Sequence, residues 1–134
     1  MKPIIKRITT GLCIALMINA CTPKMSFVTS TVVPAANGTI NVKKDNNSSY
    51  TLAVDVRNLA EPENLTPSKN TYMVRMKQSD NSVNKLGQLS PSGKDLSATL
   101  NATAVAKPDD VIITAEDNAE LLYPAGQTIL TTEK

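Results

Sequence analysis

The clearest chemical signal in the sequence is a cysteine that ends a short apolar segment near the N-terminus. Residues 18–21 read Ile-Asn-Ala-Cys, with a branched aliphatic residue three positions before Cys21 and the small residue Ala20 directly before it. This spacing predicts cleavage between Ala20 and Cys21 and lipidation of the new N-terminal cysteine at its thiol. Several acyl chains on one residue would anchor the protein stably, whereas a single chain binds a membrane only marginally.

The segment before Cys21 has the layout of a bacterial secretory signal. Residues 1–7 carry Lys2, Lys6 and Arg7, and residues 8–18 form an apolar run far shorter than the roughly 20 residues of a spanning helix. We predict a lipoprotein signal peptide at residues 1–20, a lipidated cysteine and short tether at 21–26, and one domain at 27–134. An ordinary signal peptide with a coincidental cysteine, or a short uncleaved anchor, are the alternatives.

The content of cysteine and histidine excludes several kinds of site. The sequence has no His and only two Cys. Signal cleavage would remove Cys13, and lipidation would consume Cys21, so the domain would hold no free thiol and no disulfide. Catalytic sites that need histidine and zinc sites built from Cys and His are therefore excluded. We expect no cofactor and no metal, and a protein that is not an enzyme.

Charge and aromatic content argue against nucleic acid as a partner. Without the three basic residues of the signal segment, 11 of the 14 basic side chains remain against 12 acidic ones. A near-neutral domain offers no basic surface for a phosphate backbone. Aromatic residues make up only 3% of the sequence and include no Trp, so base stacking is also disfavoured.

The densest group of carboxylates lies near the C-terminal end of the sequence and has two readings. It comprises Asp109, Asp110, Glu116, Asp117 and Glu120. Loop carboxylates can bind Ca²⁺, and paired carboxylates can hydrolyse glycosides. However, the spacing of an EF-hand loop is absent, and two loop carboxylates rarely make a full oxygen shell, whereas acidic residues are common in turns and on solvated surfaces. We favour the turn and surface interpretation.

Other polar features suggest contact surfaces. Arg57, Arg75 and Lys77 are predicted on outward faces of strands, where they form a basic strip or discourage strand addition. The longest connection, residues 59–70, contains Pro62 and Pro67 and is our preferred contact surface. Five asparagines fit the N-x-[ST] pattern and are interpreted as turn and surface residues: Asn37, Asn46, Asn47, Asn64 and Asn101.

The rest of the sequence predicts an all-β domain. Short runs rich in β-branched residues alternate with turn residues, and the clearest run, residues 50–57, keeps a strict period of two. The period breaks near Gly87, which indicates a β-bulge. The spacing predicts an Ig-like antiparallel β-sandwich of seven or eight strands. The predicted strands cover residues 27–33, 39–43, 50–57, 71–77, 83–89, 96–102, 111–116 and 127–132.

Three strand segments and one loop also show a resemblance to known proteins. Residues 72–76 read Tyr-Met-Val-Arg-Met, residues 87–89 read Gly-Gln-Leu, and residues 111–116 read Val-Ile-Ile-Thr-Ala-Glu, followed by a Pro-containing loop at 124–126. This order resembles the extracytoplasmic domain of anti-sigma-K-type factors, with Arg at a position that is often Trp in that family. The chain is also similar to small lipoproteins of Bacteroidetes-type bacteria. The resemblance implies a β-sandwich on the far side of the membrane.

These observations together predict a non-enzymatic lipoprotein of the bacterial cell envelope. The domain would face the periplasm, anchored to the inner or the outer membrane through Cys21, and would bind an envelope protein or have a structural role. The alternatives are an accessory sensor in an extracytoplasmic sigma/anti-sigma system, and a carboxylate-based hydrolase or Ca²⁺-dependent binder.

Overall fold

The computed structural model describes residues 24–133, which contain eight strands and one short 3-10 helix at Pro62–Asn64. The predicted lipidation of Cys21 and cleavage after Ala20 lie outside the described residues. Among residues 24–133 there is no helix long and apolar enough to cross a membrane. The strands are β1 (Lys24–Ser26), β2 (Asn37–Lys44), β3 (Tyr50–Arg57), β4 (Thr71–Lys77), β5 (Val83–Leu89), β6 (Ala98–Ala104), β7 (Asp110–Glu116) and β8 (Gln127–Thr131).

The eight strands form two antiparallel four-stranded sheets, which confirms the predicted β-sandwich. The first sheet has the order β1-β2-β3-β6 and the second has the order β5-β4-β7-β8. The chain therefore passes between the sheets after β3, after β5 and after β6, as the crossing connections of immunoglobulin-like sandwiches do. The strand pairs β2–β3, β4–β5 and β7–β8 are joined directly in sequence.

An aliphatic core between the two sheets explains why the alternating segments became strands. In β3, Leu52, Val54 and Val56 are fully or almost fully buried, whereas Asp55 and Arg57 are exposed. The first sheet thus has one buried face and one solvated face. Strands in such a sheet usually alternate between apolar and polar residues. The strand predicted at residues 111–116 is confirmed as β7, which lies between β4 and β8.

The N-terminal part of the domain differs from the prediction. Residues 27–33 are rich in β-branched residues but form no strand, because the Ser30 hydroxyl accepts hydrogen bonds from the N–H groups of Val32 and Val33 and turns the chain. The segment crosses from one sheet to the other: Phe27 N–H donates to the first sheet and Val28 N–H to the second. Asn37 and Gly38, predicted as a turn, instead begin β2.

Two further predictions concern the edge strands of the two sheets. The strand predicted from residue 96 begins at Ala98, because Leu96 adopts a positive φ of 47° at the end of a turn. The predicted bulge near Gly87 is confirmed: the β4–β5 register shifts so that Leu86 has no opposite residue, and a Cβ at Gly87 would lie 2.9 Å from a Leu100 methyl group.

The second sheet differs from the first because both of its faces are covered. In β4 all residues from Thr71 to Met76 are buried, and in β7 all residues from Ile113 to Glu116 are buried. Tyr72, Val74 and Met76 belong to the core between the sheets. The opposite face of β4 includes Met73 and Arg75, which are both buried, and the Arg75 side chain lies under residues 121–123 of the following loop.

The two adjacent isoleucines of β7 provide a matched test of the two faces. Ile113 is fully buried in the core, whereas Ile112 lies half-buried on the outer face. We expect Ile113→Ala to lower the free energy of unfolding by about 3–4 kcal/mol, because it removes core contacts and leaves a cavity. Ile112→Ala should cost about 1 kcal/mol. Urea unfolding of both variants measures the difference, and equal losses would contradict the assigned faces.

Candidate functional site

A buried ion pair on the outer face of the second sheet is the main polar feature of the described residues. Arg75 in β4 is fully buried, and Glu116 at the end of β7 is 1% exposed. Arg75 Nη2 lies 2.5 Å from Glu116 Oε2. The prediction that Arg75 points to solvent is therefore wrong, because residues 117–126 fold over that face of the sheet. Glu116, predicted in a solvated acidic cluster, is likewise buried.

Arg75 also uses its two terminal nitrogens to hold the backbone of the loop 117–126. Its Nη1 donates to the carbonyl oxygen of Leu122 at 2.8 Å. Its Nη2 donates to the carbonyl oxygens of Leu121 at 3.0 Å and Tyr123 at 3.4 Å. A guanidinium group suits this role because it presents several N–H donors in a fixed plane. Three successive peptide groups are thus fixed by one side chain.

Glu116 holds the returning end of the same loop. Its Oε1 accepts hydrogen bonds from the N–H groups of Ala125 at 2.8 Å and Gly126 at 3.4 Å. The backbone approaches β7 so closely here that a Cβ at Gly126 would lie 1.7 Å from the carbonyl oxygen of Ala115. Only glycine fits such an approach without displacing the backbone. The ion pair therefore contacts the loop on both sides of its turn.

Opposing effects act on the pKa of the Glu116 carboxyl group. Burial raises this pKa, since it disfavours the charged form. The hydrogen bond and charge of Arg75, with the N–H donors of Ala125 and Gly126, outweigh burial and lower the pKa below its ordinary value of 4.5. Glu116 is consequently ionised at neutral pH, so that the buried arginine has a charged partner.

Three further side chains contact the loop 117–126 near its start. Lys85 of β5 donates to the carbonyl oxygen of Ala119 at 3.0 Å. Asn70 donates to the carbonyl oxygen of Asp117 at 3.0 Å, and Lys69 lies 3.3 Å from the carboxylate of Asp117. The loop is therefore held from β4, β5, β7 and the segment that precedes β4.

The loop presents three apolar side chains to solvent while its backbone is held from below. Leu121, Leu122 and Tyr123 are 36%, 68% and 79% exposed, and we call these three residues the apolar tip. The carbonyl oxygens that Arg75 binds belong to these same residues. An arrangement of this kind can contact a partner surface, because the backbone is ordered before binding occurs.

The acidic residues of the predicted cluster do not come together. Asp110 begins β7 and Glu116 ends it, so the two ends of the cluster lie roughly 20 Å apart. Glu116 is committed to Arg75 and to the loop backbone. Within residues 24–133 no group of three or more His, Cys, Asp or Glu side chains is arranged to hold a metal ion.

The predicted basic strip also separates. Arg57 is exposed at the end of β3 in the first sheet, whereas Lys77 ends β4 in the second sheet and lies 3.9 Å from Glu133. With Arg75 buried, no continuous strip joins them. The five asparagines of the N-x-[ST] pattern are all exposed, which confirms them as surface residues.

The connection 59–70, our preferred contact surface from the sequence, is packed against the domain. Leu59 is fully buried, and Leu65 is partly buried against the core. The Tyr72 hydroxyl donates to the carbonyl oxygen of Ala60 at 2.6 Å, and burial raises the pKa of Tyr72 to about 12. This connection lines an open polar cleft of about 250 Å³, with Glu61 and Glu63 on one wall.

That cleft does not have the geometry of a two-carboxylate hydrolase. Such enzymes place the two carboxyl groups on either side of the scissile bond. Glu61 and Glu63 come from the same short segment, and the other residues that line the cleft, which include Asn70, Thr71 and residues 88–91, contain no carboxylate. The cleft therefore offers hydrogen bonds but no opposed acid and base.

Neither the ion pair nor the apolar tip was predicted from the sequence. One signal was available: residues 72–76 and 111–116 have apolar residues on both faces, and each segment contains a single charged residue. A strand apolar on both faces is covered on both sides, so a charge within it must have a buried partner. No comparable signal in the sequence indicates which loop provides the cover.

The ion pair can be tested by a double-mutant cycle. Arg75→Met or Glu116→Gln alone should each lower the free energy of unfolding by about 3–5 kcal/mol, because each strands a buried polar partner. The double variant should lose clearly less than the sum of the two single losses. The exposed pair Lys69→Met and Asp117→Asn is the control, with losses of about 1 kcal/mol or less. Additive losses at 75 and 116 would contradict the coupling.

The lowered pKa of Glu116 predicts a pH dependence of stability. The charged form of Glu116 contributes its full stabilisation at pH values above 4.5, the ordinary pKa that applies to the unfolded chain. This contribution is lost as the pH falls through the lower pKa of the folded protein. The difference in unfolding free energy between the wild type and Glu116→Gln should therefore shrink below pH 4.5. Urea unfolding across acidic pH measures it, and parallel curves for the two proteins would exclude this role.

Comparisons with protein-family models, curated proteins and solved structures give no match to this chain.

Proposed function

We propose that this protein is a lipid-anchored lipoprotein of the bacterial envelope whose periplasmic domain is a non-enzymatic binding module. The loop 117–126 is its contact surface. The supporting observation is that Arg75 binds the carbonyl oxygens of Leu121, Leu122 and Tyr123 while their side chains remain exposed. In the alternative function, the protein is an accessory sensor in a sigma/anti-sigma system and binds a different partner through the same surface.

The energetics of association favour this surface. Ordering a loop at an interface reduces affinity, so a loop already fixed by internal contacts binds at lower entropic cost. Tyr is among the residues that most often dominate binding energy, and apolar neighbours help to exclude water around it. Tyr123 and Leu122 together provide an aromatic and an aliphatic group on a rigid support.

The polar groups of the site support binding rather than chemistry. The carboxylate of Glu116 and the Nη groups of Arg75 are directed at the loop backbone, and both side chains are buried. A general acid or base must reach the atom to which it transfers a proton. Neither group reaches solvent, so each acts on substrates only if the loop is displaced.

The position of the contact surface is compatible with the proposed anchor. The chain enters the domain through β1, an edge strand of the first sheet, only a few residues after Cys21. The loop 117–126 covers the outer face of the second sheet, on the other side of the core. A domain held near the bilayer through β1 can therefore present the apolar tip away from the lipid.

Site-specific photocrosslinking tests the contact surface. A photoreactive phenylalanine analogue at position 123 should crosslink a defined envelope protein in intact cells, and Leu122→Asp should abolish the product because it places a charge in an apolar contact. The control probe is Val105, which is 87% exposed on a different loop. An anti-sigma factor among the products would favour the sensor alternative. Equal products at 105 and 123 would refute the assignment of this surface.

The anchor is tested separately by its chemistry. Mass spectrometry of the mature protein should show an N-terminal Cys21 that carries acyl chains, and the protein should fractionate with membranes. Cys21→Ala should remove the acyl mass and shift most of the protein out of the membrane fraction, because the acyl chains on Cys21 are the proposed anchor. Detection of an unmodified Cys21 in mature protein would reject lipidation without affecting the loop assignment.

A further inference from the structure

The polar cleft beside the connection 59–70 opens on the same face of the second sheet as the loop 117–126. Its volume is about 250 Å³, and the end of β5 forms part of its lining. Gln88, at that end of β5, lies opposite Met73, and residues opposite one another on neighbouring strands share a face of the sheet. Gln88 and Met73 are therefore both directed to the outer face, and Gln88 Nε2 donates to Thr71 Oγ1 there at 2.7 Å.

Asn70 connects this cleft to the loop that carries the apolar tip. Its side chain lines the cleft, and its Nδ2 donates to the carbonyl oxygen of Asp117 at 3.0 Å. Its backbone N–H donates to the carbonyl oxygen of Glu116 at 3.1 Å. The cleft and the loop 117–126 are thus neighbours on one surface, held in place by the same residue.

The side-chain amides of the cleft leave their oxygen atoms available as acceptors. Asn70 donates from its nitrogen to a carbonyl group, which can only accept, so the orientation of its amide is fixed. Gln88 donates to the Thr71 hydroxyl, which itself donates to the carbonyl oxygen of Tyr72 at 3.5 Å. Asn70 Oδ1 and Gln88 Oε1 accept no hydrogen bond from any other residue within 24–133.

The charge of this surface is negative. The segments 59–70 and 117–126 contain four acidic residues and one basic residue: Glu61, Glu63, Asp117 and Glu120 against Lys69. Lys85 also contacts the loop, so four negative and two positive charges give a sum of −2. Lys69 pairs with Asp117, whereas Glu61 and Glu63 form no ion pair in the part of the chain that the structure describes. No basic residue lines the cleft.

We infer that the cleft receives a Lys or Arg side chain of the same protein that binds the apolar tip, an inference that rests on the function proposed above. Ammonium and guanidinium groups donate hydrogen bonds, accept none and carry a positive charge, so they match carboxylate and amide oxygens. Small-molecule sites are mostly apolar and enclose most of their ligand. This cleft is polar and open, so it suits a side chain that the partner surface itself covers.

The two parts of the surface have different roles in this arrangement. The apolar tip provides the area that is removed from water on binding. The charges beside it attract the partner and fix its orientation, as complementary charges at the rim of an interface do. Binding should therefore depend on salt through Glu61 and Glu63.

Neutralisation of the two carboxylates tests this inference. The readout is the yield of the product that a photoreactive phenylalanine analogue at position 123 forms in isolated membranes. At about 50 mM salt, Glu61→Gln/Glu63→Gln should lower this yield about fivefold, the loss expected for two partly exposed charge pairs. At about 300 mM salt the wild-type yield should fall towards that of the variant, because salt screens exposed charges. The control Asp55→Asn/Asp109→Asn removes two exposed carboxylates outside the cleft and should leave the yield unchanged.

A second probe tests whether the partner occupies the cleft. Ser90 is exposed and lines the cleft, so the same photoreactive analogue at position 90 should capture the protein that position 123 captures. Urea unfolding of each variant should match the wild type, since the substituted side chains are exposed.

The outcomes separate this inference from the function on which it rests. Suppose that position 123 captures a defined protein. An unchanged yield after neutralisation, or a position 90 that captures lipid, a different protein or nothing, then overturns the inference and leaves the apolar tip as the contact surface. If position 123 captures no protein, the proposed function fails and the inference fails with it.

Discussion

The buried ion pair between Arg75 and Glu116 determines how the second sheet is covered. Two charges removed from water are tolerated only when each has good partners. Here the partners include the peptide groups of residues 121–126, so the pair and the loop require one another. Without the loop, Arg75 and Glu116 would lose hydrogen bonds; without the pair, the loop would lose the donors and acceptors that fix its backbone.

The ion pair is costly, which suggests a role beyond stability. Arg75 Nε and the Thr114 hydroxyl are buried without a hydrogen-bond partner among residues 24–133. An apolar pair would fill the same volume without these costs, and such replacements are often neutral or stabilising. What apolar residues would not provide is a defined backbone position for three successive peptide groups. We therefore attribute the pair to specificity in the conformation of the loop.

Much of the fold could be predicted because most strands keep apolar residues at every second position. The segments 50–57, 71–77 and 83–89 were predicted with their observed bounds. The failures occur where another interaction outweighs propensity: the Ser30 hydroxyl turns residues 27–33, and the loop 117–126 buries Arg75. The apolar residues on both faces of β4 indicated a strand that is covered on both sides. The loop that covers it is distant in sequence, so the local sequence pattern could not identify that loop.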